Sequence, residues 1–184
     1  MTIAPALSAT TGTWVLDASH TTLGFQARHA MVSKVRGNFG IFEGTLVLDG
    51  ENPAHSSAHV VIDAASISTG NADRDAHLRS ADFLNVAEFP TLTFTSTSVR
   101  QDGADFVLVG ALTIRGTTRP VEIAVDLEGV VNDPFGNTKI GFEGTTEISR
   151  KDFGLTWNVA LEAGGMLVGD TIKITLDVEA DRQD

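Results

Sequence analysis

Apolar residues recur at every second position through most of this chain. That period suits extended strands with one dry face and one wet face, and little else. Ile172, Ile174, Leu176 and Val178 alternate with Thr171, Lys173, Thr175, Asp177 and Glu179. Val121, Ile123, Val125 and Leu127 alternate with Glu122, Asp126 and Glu128. Ile140, Phe142 and Ile148 share a face opposite Glu143, Thr145 and Glu147. Between 105 and 115, Phe106, Leu108, Gly110, Leu112 and Ile114 share one face, but Val107 and Val109 occupy the other. That strand is either covered on both sides or meets a partner.

Turn residues punctuate these runs. Asp102-Gly103 reads as a tight hairpin, and Asp49-Gly50 with Asn52-Pro53, Asn132-Asp133-Pro134 with Gly136-Asn137, and Gly116 before Arg119-Pro120 separate other pairs. The resulting strand spans are 13–17, 21–31, 36–48, 57–67, 91–101, 104–115, 120–131, 138–149 and 170–181. Strands of about ten residues reach on the order of 35 Å. Between Phe42 and Gly44 the period slips, since Phe39 and Ile41 share one parity and Leu46 and Leu48 the other, and a bulge there returns both pairs to the core.

Residues 71–84 do not alternate. Asn71 is placed as an N-cap, with Asp73 and Asp75 in the first turn and Asp75 spaced i,i+4 from Arg79, which predicts one short helix. No repeat or linker divides the chain. The expectation is a flexible tail over 1–12 and one domain over 13–184. The opening MTIAPALSATTG has neither the basic start nor the long apolar stretch of a secretory signal, so a cytoplasmic location is expected.

Long antiparallel sheets lose their exposed edges by closing, so a barrel is favoured over a sandwich. An eight-stranded barrel is just wide enough to pack solid or to hold one slender ligand. Gly110, Gly129 and Gly144 fall on dry faces, where they either widen the lumen or mark kinks and bulges.

Composition excludes several functions. The formal net charge is −11, which repels nucleic-acid backbones and argues against an anionic lipid surface. There is no cysteine, so disulfides, thiol catalysis and sulfur-ligated zinc are absent. No apolar run approaches a membrane span, and no nucleophile elbow, phosphate loop or dinucleotide fingerprint occurs.

An ordered series of short segments carries a resemblance. It runs through Trp14-Val-Leu-Asp17-Ala-Ser-His20, Phe25-Gln-Ala-Arg-His29, Gly37-Asn-Phe39 with Gly44, and Ser68-Thr-Gly70. It continues with Arg74-Asp75-Ala-His77-Leu78-Arg79-Ser80, Asp82-Phe83, Phe89-Pro90, Gly110-Ala-Leu112-Thr-Ile114-Arg-Gly116, Pro120-Val121, Arg150-Lys-Asp152-Phe153-Gly154-Leu155 and Val168-Gly169-Asp170. From Trp14 to about Ala180 the chain resembles the YceI-like family of polyisoprenoid-binding proteins. His20-Thr21 departs from the His-Ser of many relatives, and several relatives look periplasmic. The resemblance implies an all-β, lipocalin-like extended antiparallel eight-stranded β-barrel with one short helix near residues 71–84. It also implies an amphiphilic isoprenoid lipid in the lumen; no other cofactor is expected, and no HxH or HExxH spacing supports a metal site.

On that implication the lumen candidates are Phe25, Phe39, Phe94, Phe106, Leu112, Ile114 and Phe142, all on inner faces, with plain core packing as the alternative for each. Phe offers large apolar area with no hydroxyl to satisfy, and the chain has ten Phe and no Tyr. His29 shares parity with Phe25 and is a candidate headgroup contact, although an inward His is more often a hydrogen-bonded core residue. Trp157 and Met166 either line a mouth or anchor a loop. His55 and His59 read as exposed.

Arg74, Asp75, His77 and Arg79 read as a capping and salt-bridge cluster locking the helix to the barrel, and Arg150 with Asp152 reads as a structural pair. The leading expectation is a non-catalytic carrier, storage or sequestering protein. The alternatives are an enzyme on such a lipid using His20, His29 or the Arg74–His77 cluster, and a homodimer formed through Val107 and Val109.

Overall fold

The computed structural model describes residues 7–183. Among these residues one α-helix, α1 (Ala72–Arg79), interrupts eleven strands. The strands are β1 (Gly12–Leu16), β2 (Thr22–His29), β3 (Ser33–Phe39), β4 (Phe42–Leu48), β5 (Ser57–Asp63), β6 (Ile67–Ser68), β7 (Thr91–Asp102), β8 (Asp105–Ile114), β9 (Thr117–Asn132), β10 (Thr138–Ser149) and β11 (Val168–Gln183).

Antiparallel pairing runs β1-β4-β5-β7-β8-β9-β10-β11 and returns to β1, closing an eight-stranded barrel. Closure depends on the length of β11. Its C-terminal end pairs with β1, from Ala180↔Leu16 to Gln183↔Thr13. Its earlier residues pair with β2, from Ile172↔Ala27 to Asp177↔Thr22. Two short strands thus share one long one, and β2 continues the wall through β3 to β6.

The alternation holds along β9 as far as Leu127 and along most of β10 and β11, so apolar side chains fill the inside while acidic residues face water. The 102–105 hairpin forms as expected, with Asp102 opposite Asp105 and Gly103 at φ +64°. Asn71 caps α1 by accepting the Arg74 amide at 2.9 Å.

The helix is shorter than its 71–84 expectation. Ser80 donates its hydroxyl to the His77 carbonyl at 2.6 Å and ends the helix. The turns that follow drop Phe83 and Leu84 into the core. The 36–48 strand is not one strand with a bulge. The chain turns a corner at Gly40–Ile41, where Gly40 donates to Ser66 and Ile41 accepts from Asp63, and Ile41 points to solvent. The corner resets parity, so Phe39 and Leu46 both pack inward.

The 1–12 tail expectation falls partly outside the described residues. Of the rest, Leu7–Thr10 forms a 3-10 turn. Its Leu7 carbonyl sits directly over Gly50, leaving no room for a Cβ there. Thr10 accepts the Trp14 indole N–H at 2.8 Å. Trp14, Ile140 and Ala180 are fully enclosed beneath this turn, which plugs one end of the barrel.

Candidate ligand-binding site

Apolar residues from β2, β3 and β7–β11 converge on a cavity of about 760 Å³ along the barrel axis. That volume lies within the range of small-molecule sites, roughly 300–1,000 Å³. Phe25, Phe39, Phe94, Phe106, Leu112, Ile114 and Phe142 all line it. Phe94, Leu112 and Ile114 are almost wholly buried in the core, whereas Phe25 and Phe39 are partly buried and stack at 5.8 Å between ring centroids. His29 also borders the cavity, but its position is the exposed end of β2 rather than the interior.

The three glycines expected on inner faces do different things. Gly144 lines the cavity, and a Cβ there would meet Leu176 and Ile123 at 3.2 and 3.3 Å. Gly110 does not open space, because the Phe94 ring fills the volume that its missing side chain vacates. Gly129 is not on the inner face at all. Between Gly141↔Gly129 and Phe142↔Leu127 the β9 register slips by one, turning Gly129 to the outside, where a Cβ would meet nothing. One extra residue reverses every side chain beyond it.

Aliphatic residues complete the wall. Leu108, Val125, Ile174 and Leu176 line the cavity alongside the aromatics. Their parity in the sequence places them on the same dry faces as the candidate aromatics.

The end opposite the Leu7 turn is the mouth. Trp157 stands there, its ring 4.6 Å from His77 and 5.4 Å from Phe83, with His77 edge-on to both Phe83 and Trp157. His77 Nε2 lies 2.9 Å from Asp82 Oδ2. Trp157 therefore lines the mouth, while Met166 lies in the adjoining loop and is exposed.

The polar clusters are committed to holding the frame. Asp75 accepts from the Thr69 amide and hydroxyl at 2.8 and 2.5 Å and makes no pair with Arg79. Arg74 donates to the Thr69 hydroxyl and carbonyl, and Arg79 donates to the carbonyls of Ala65 and Ile67. Arg74, Asp75 and Arg79 fasten α1 to the chain before it through backbone groups and the Thr69 hydroxyl, and the ion-pair contact of the cluster is His77 with Asp82.

Arg150 likewise does not pair with Asp152. It is 3 % exposed and donates to the carbonyls of Leu155, Trp157, Val168 and Gly169. Burial pushes its pKa down, opposed by the nearby Asp170 carboxylate. Asp170 itself is held below the usual range, chiefly by the Ser149 hydroxyl at 2.7 Å. Arg150 shares parity with Ile148, and that inward parity was the signal available in the sequence.

Asp17, His20 and Glu179 also cluster, on the outer face. Lys139 occupies the space between the carboxylates, 2.7 Å from Asp181, 2.9 Å from Glu179 and 3.2 Å from Asp17. The carboxylates of Asp181 and Glu179 raise the Lys139 pKa, and the His20 hydrogen bond holds Asp17 far below the usual carboxylate range. His20 is raised in turn by Asp17, 2.7 Å away. This network ties β1, β10 and β11 together outside the barrel, away from the cavity. His55 and His59 are exposed on the outside as well.

Comparison with known proteins follows the same boundaries. A model of the YceI-like domain matches residues 14–180. Protein YceI of Escherichia coli O17:K52:H18 (strain UMN026 / ExPEC) is 43 % identical over 139 residues, covering 76 % of this chain and 73 % of that one. The YCEI protein of Campylobacter jejuni superposes with a TM-score of 0.72 at 29 % identity, covering 85 % of this chain and 90 % of that chain. A polyisoprenoid binding domain from Saccharophagus degradans, implicated in plant cell wall breakdown, superposes with a TM-score of 0.66 over 92 % of this chain and 98 % of that one. At 17 % identity the last likeness is one of fold.

Proposed function

Since the chain belongs to the YceI-like domain family, we propose that it is a non-catalytic carrier, storage or sequestering protein that holds the tail of an isoprenoid lipid in its barrel. The observation carrying this reading is the 760 Å³ apolar cavity running from the Leu7 turn to the Trp157 mouth. The polyisoprenoid binding domain of Saccharophagus degradans has the same fold, which agrees with that choice of ligand class.

A prenyl tail is a branched hydrocarbon with nothing to hydrogen-bond, and it matches a wall of Phe, Leu, Ile and Val. Phe25, Phe39, Phe94, Phe106, Leu112, Ile114 and Phe142 form its contacts, with His29 at the rim beside the headgroup. Arg74, Asp75, Arg79 and Arg150 spend their polar atoms on backbone groups and the Thr69 hydroxyl, and His20 lies outside the barrel, which disfavours catalysis through them and leaves His29 and the His77–Asp82 pair as the cavity-bordering groups that an enzyme would use.

Affinity should rise with tail length and then stop rising. Each buried CH₂ contributes about 0.8 kcal/mol, so one five-carbon unit adds roughly 3–4 kcal/mol before ordering costs. Taking a methylene as similar in size to a water, about 30 Å³ each, the cavity accommodates on the order of 25 carbons, or about five units. Titration with prenyl alcohols of increasing length is expected to show Kd falling steeply up to that length and levelling beyond it. Length-independent affinity would refute the lumen as the binding site.

A further inference from the structure

The net charge of −11 conceals an asymmetry. From Ala18 to Phe42 the chain contains no Asp or Glu, while it carries Arg28, Lys34 and Arg36. This stretch folds into the β2–β3 hairpin, where Arg28 stands opposite Lys34 and Arg36 opposite Gln26 on the outer face. Among the described residues these three cations make no ion pair. On the strand paired with β2, Asp170 lies in the 168–172 irregularity beside Arg28 and accepts from Ser149, while Asp73, Asp82 and Glu162 belong to α1, the turn after it and the 155–167 loop rather than to the hairpin.

The hairpin tip is apolar. Met31 is 64 % and Val32 83 % exposed. Ala30 and Met31 hold left-handed backbone, at φ 48° and 62°, where hairpins ordinarily place Asn or Gly. Strain of this kind persists only where the surroundings enforce it, and it clusters at functional positions. Here Ala30 donates to the Leu167 carbonyl at 2.7 Å, and Met31 rests against Gly165. The loop contributes Val159 and Met166, each 47 % exposed. The next residues in, His29, Leu167 and Val168, line the cavity.

From these placements we infer that the β2–β3 tip and the 155–167 loop form a docking rim for an anionic lipid bilayer, setting the cavity mouth against the membrane. The apolar tip enters the interface while Arg28, Lys34 and Arg36 meet anionic headgroups. The overall negative charge does not prevent this, because a basic patch acts within a Debye length, about 8 Å at physiological salt. The inference rests on the lipid-carrier reading, since a ligand insoluble in water must enter from a lipid phase.

Flotation with vesicles tests it. The protein is expected to float with phosphatidylcholine–phosphatidylglycerol vesicles at low salt, and not with phosphatidylcholine alone. High salt should release it. Met31→Asn with Val32→Asn keeps a residue that tolerates left-handed backbone and should cut vesicle binding by about tenfold or more. Lys34→Glu with Arg36→Glu should do the same.

These vesicles contain no prenyl lipid, and binding of a prenyl alcohol in detergent is measured in parallel. Loss of flotation with that binding intact supports the rim. Failure of the prenyl alcohol to bind would sink the carrier reading, whereas flotation reports on the rim alone. Wild-type protein that does not float, or variants that float equally well, would overturn the inference. So would a concentration-dependent dimer, seen by light scattering and lost in Met31→Asn with Val32→Asn, because the tip would then be a self-association surface.

Discussion

Leu108→Trp combined with Val125→Trp is expected to weaken prenyl-lipid binding by about a hundredfold or more while leaving a folded barrel. Both positions line the cavity and are only partly buried, so the added rings enter open lumen rather than packed core. Val125 lies opposite Gly144, where Leu176 and Ile123 already crowd the wall, so the indole must turn into the lumen. If the two rings displace about four methylenes of tail, the loss is roughly 3 kcal/mol at 0.8 kcal/mol each, and each 1.4 kcal/mol is tenfold in Kd. Displacement of a fluorescent prenyl probe measures the effect, with circular dichroism and thermal midpoint confirming the fold. Unchanged affinity in a folded variant would mean that the tail lies elsewhere. Gly110→Phe is not an equivalent test, because Phe94 already occupies that space and the substitution would overpack the wall.

Arg150→Met is expected to cost about 3–5 kcal/mol of stability. The Met side chain replaces much of the length and none of the donors. It leaves the carbonyls of Leu155, Trp157 and Gly169 without the guanidinium that now joins them, while Val168 keeps its bond from the Asn158 amide at 2.7 Å. Each carbonyl stranded away from water costs about 1–3 kcal/mol, and those that reach solvent by loosening the loop cost less. Urea denaturation reads the stability, and hydrogen exchange should show the loss concentrated in the segment from Leu155 to Val168. Arg150→Lys should recover only part of it, since an ammonium cannot span four acceptors in a planar fork. A midpoint equal to wild type would show that the carbonyls find other partners and that Arg150 does not hold the mouth.

Much of the cavity wall was legible in the sequence because a barrel interior is built by period-two alternation, which is local. Phe106, Leu112, Ile114 and Phe142 could be assigned to the inside from their neighbours alone. Gly129 could not, since the slip at Glu128 is set by pairing with β10 and reverses parity without a local mark. The Gly40–Ile41 corner depends on contacts with Asp63 and Ser66, residues more than twenty positions away. Sharing of β11 between β1 and β2 is also non-local, because two strands with unrelated sequences divide one edge.

Charge reading failed differently for Asp75, Arg79 and Arg150. Spacing suggested ionic partners, yet these side chains satisfy amides, a hydroxyl and carbonyls that no one-dimensional pattern locates. The acid-free stretch from Ala18 to Phe42 was visible all along, but a net charge averages it away.

The central claim is that the barrel holds a prenyl tail. Organic extraction of the purified protein, followed by mass spectrometry of the extract, tests it most directly. The account predicts a stoichiometric co-purifying lipid whose fragments step by five-carbon units, and its loss from Leu108→Trp with Val125→Trp. A protein that yields no such lipid and that also fails to bind prenyl alcohols of any length would contradict it.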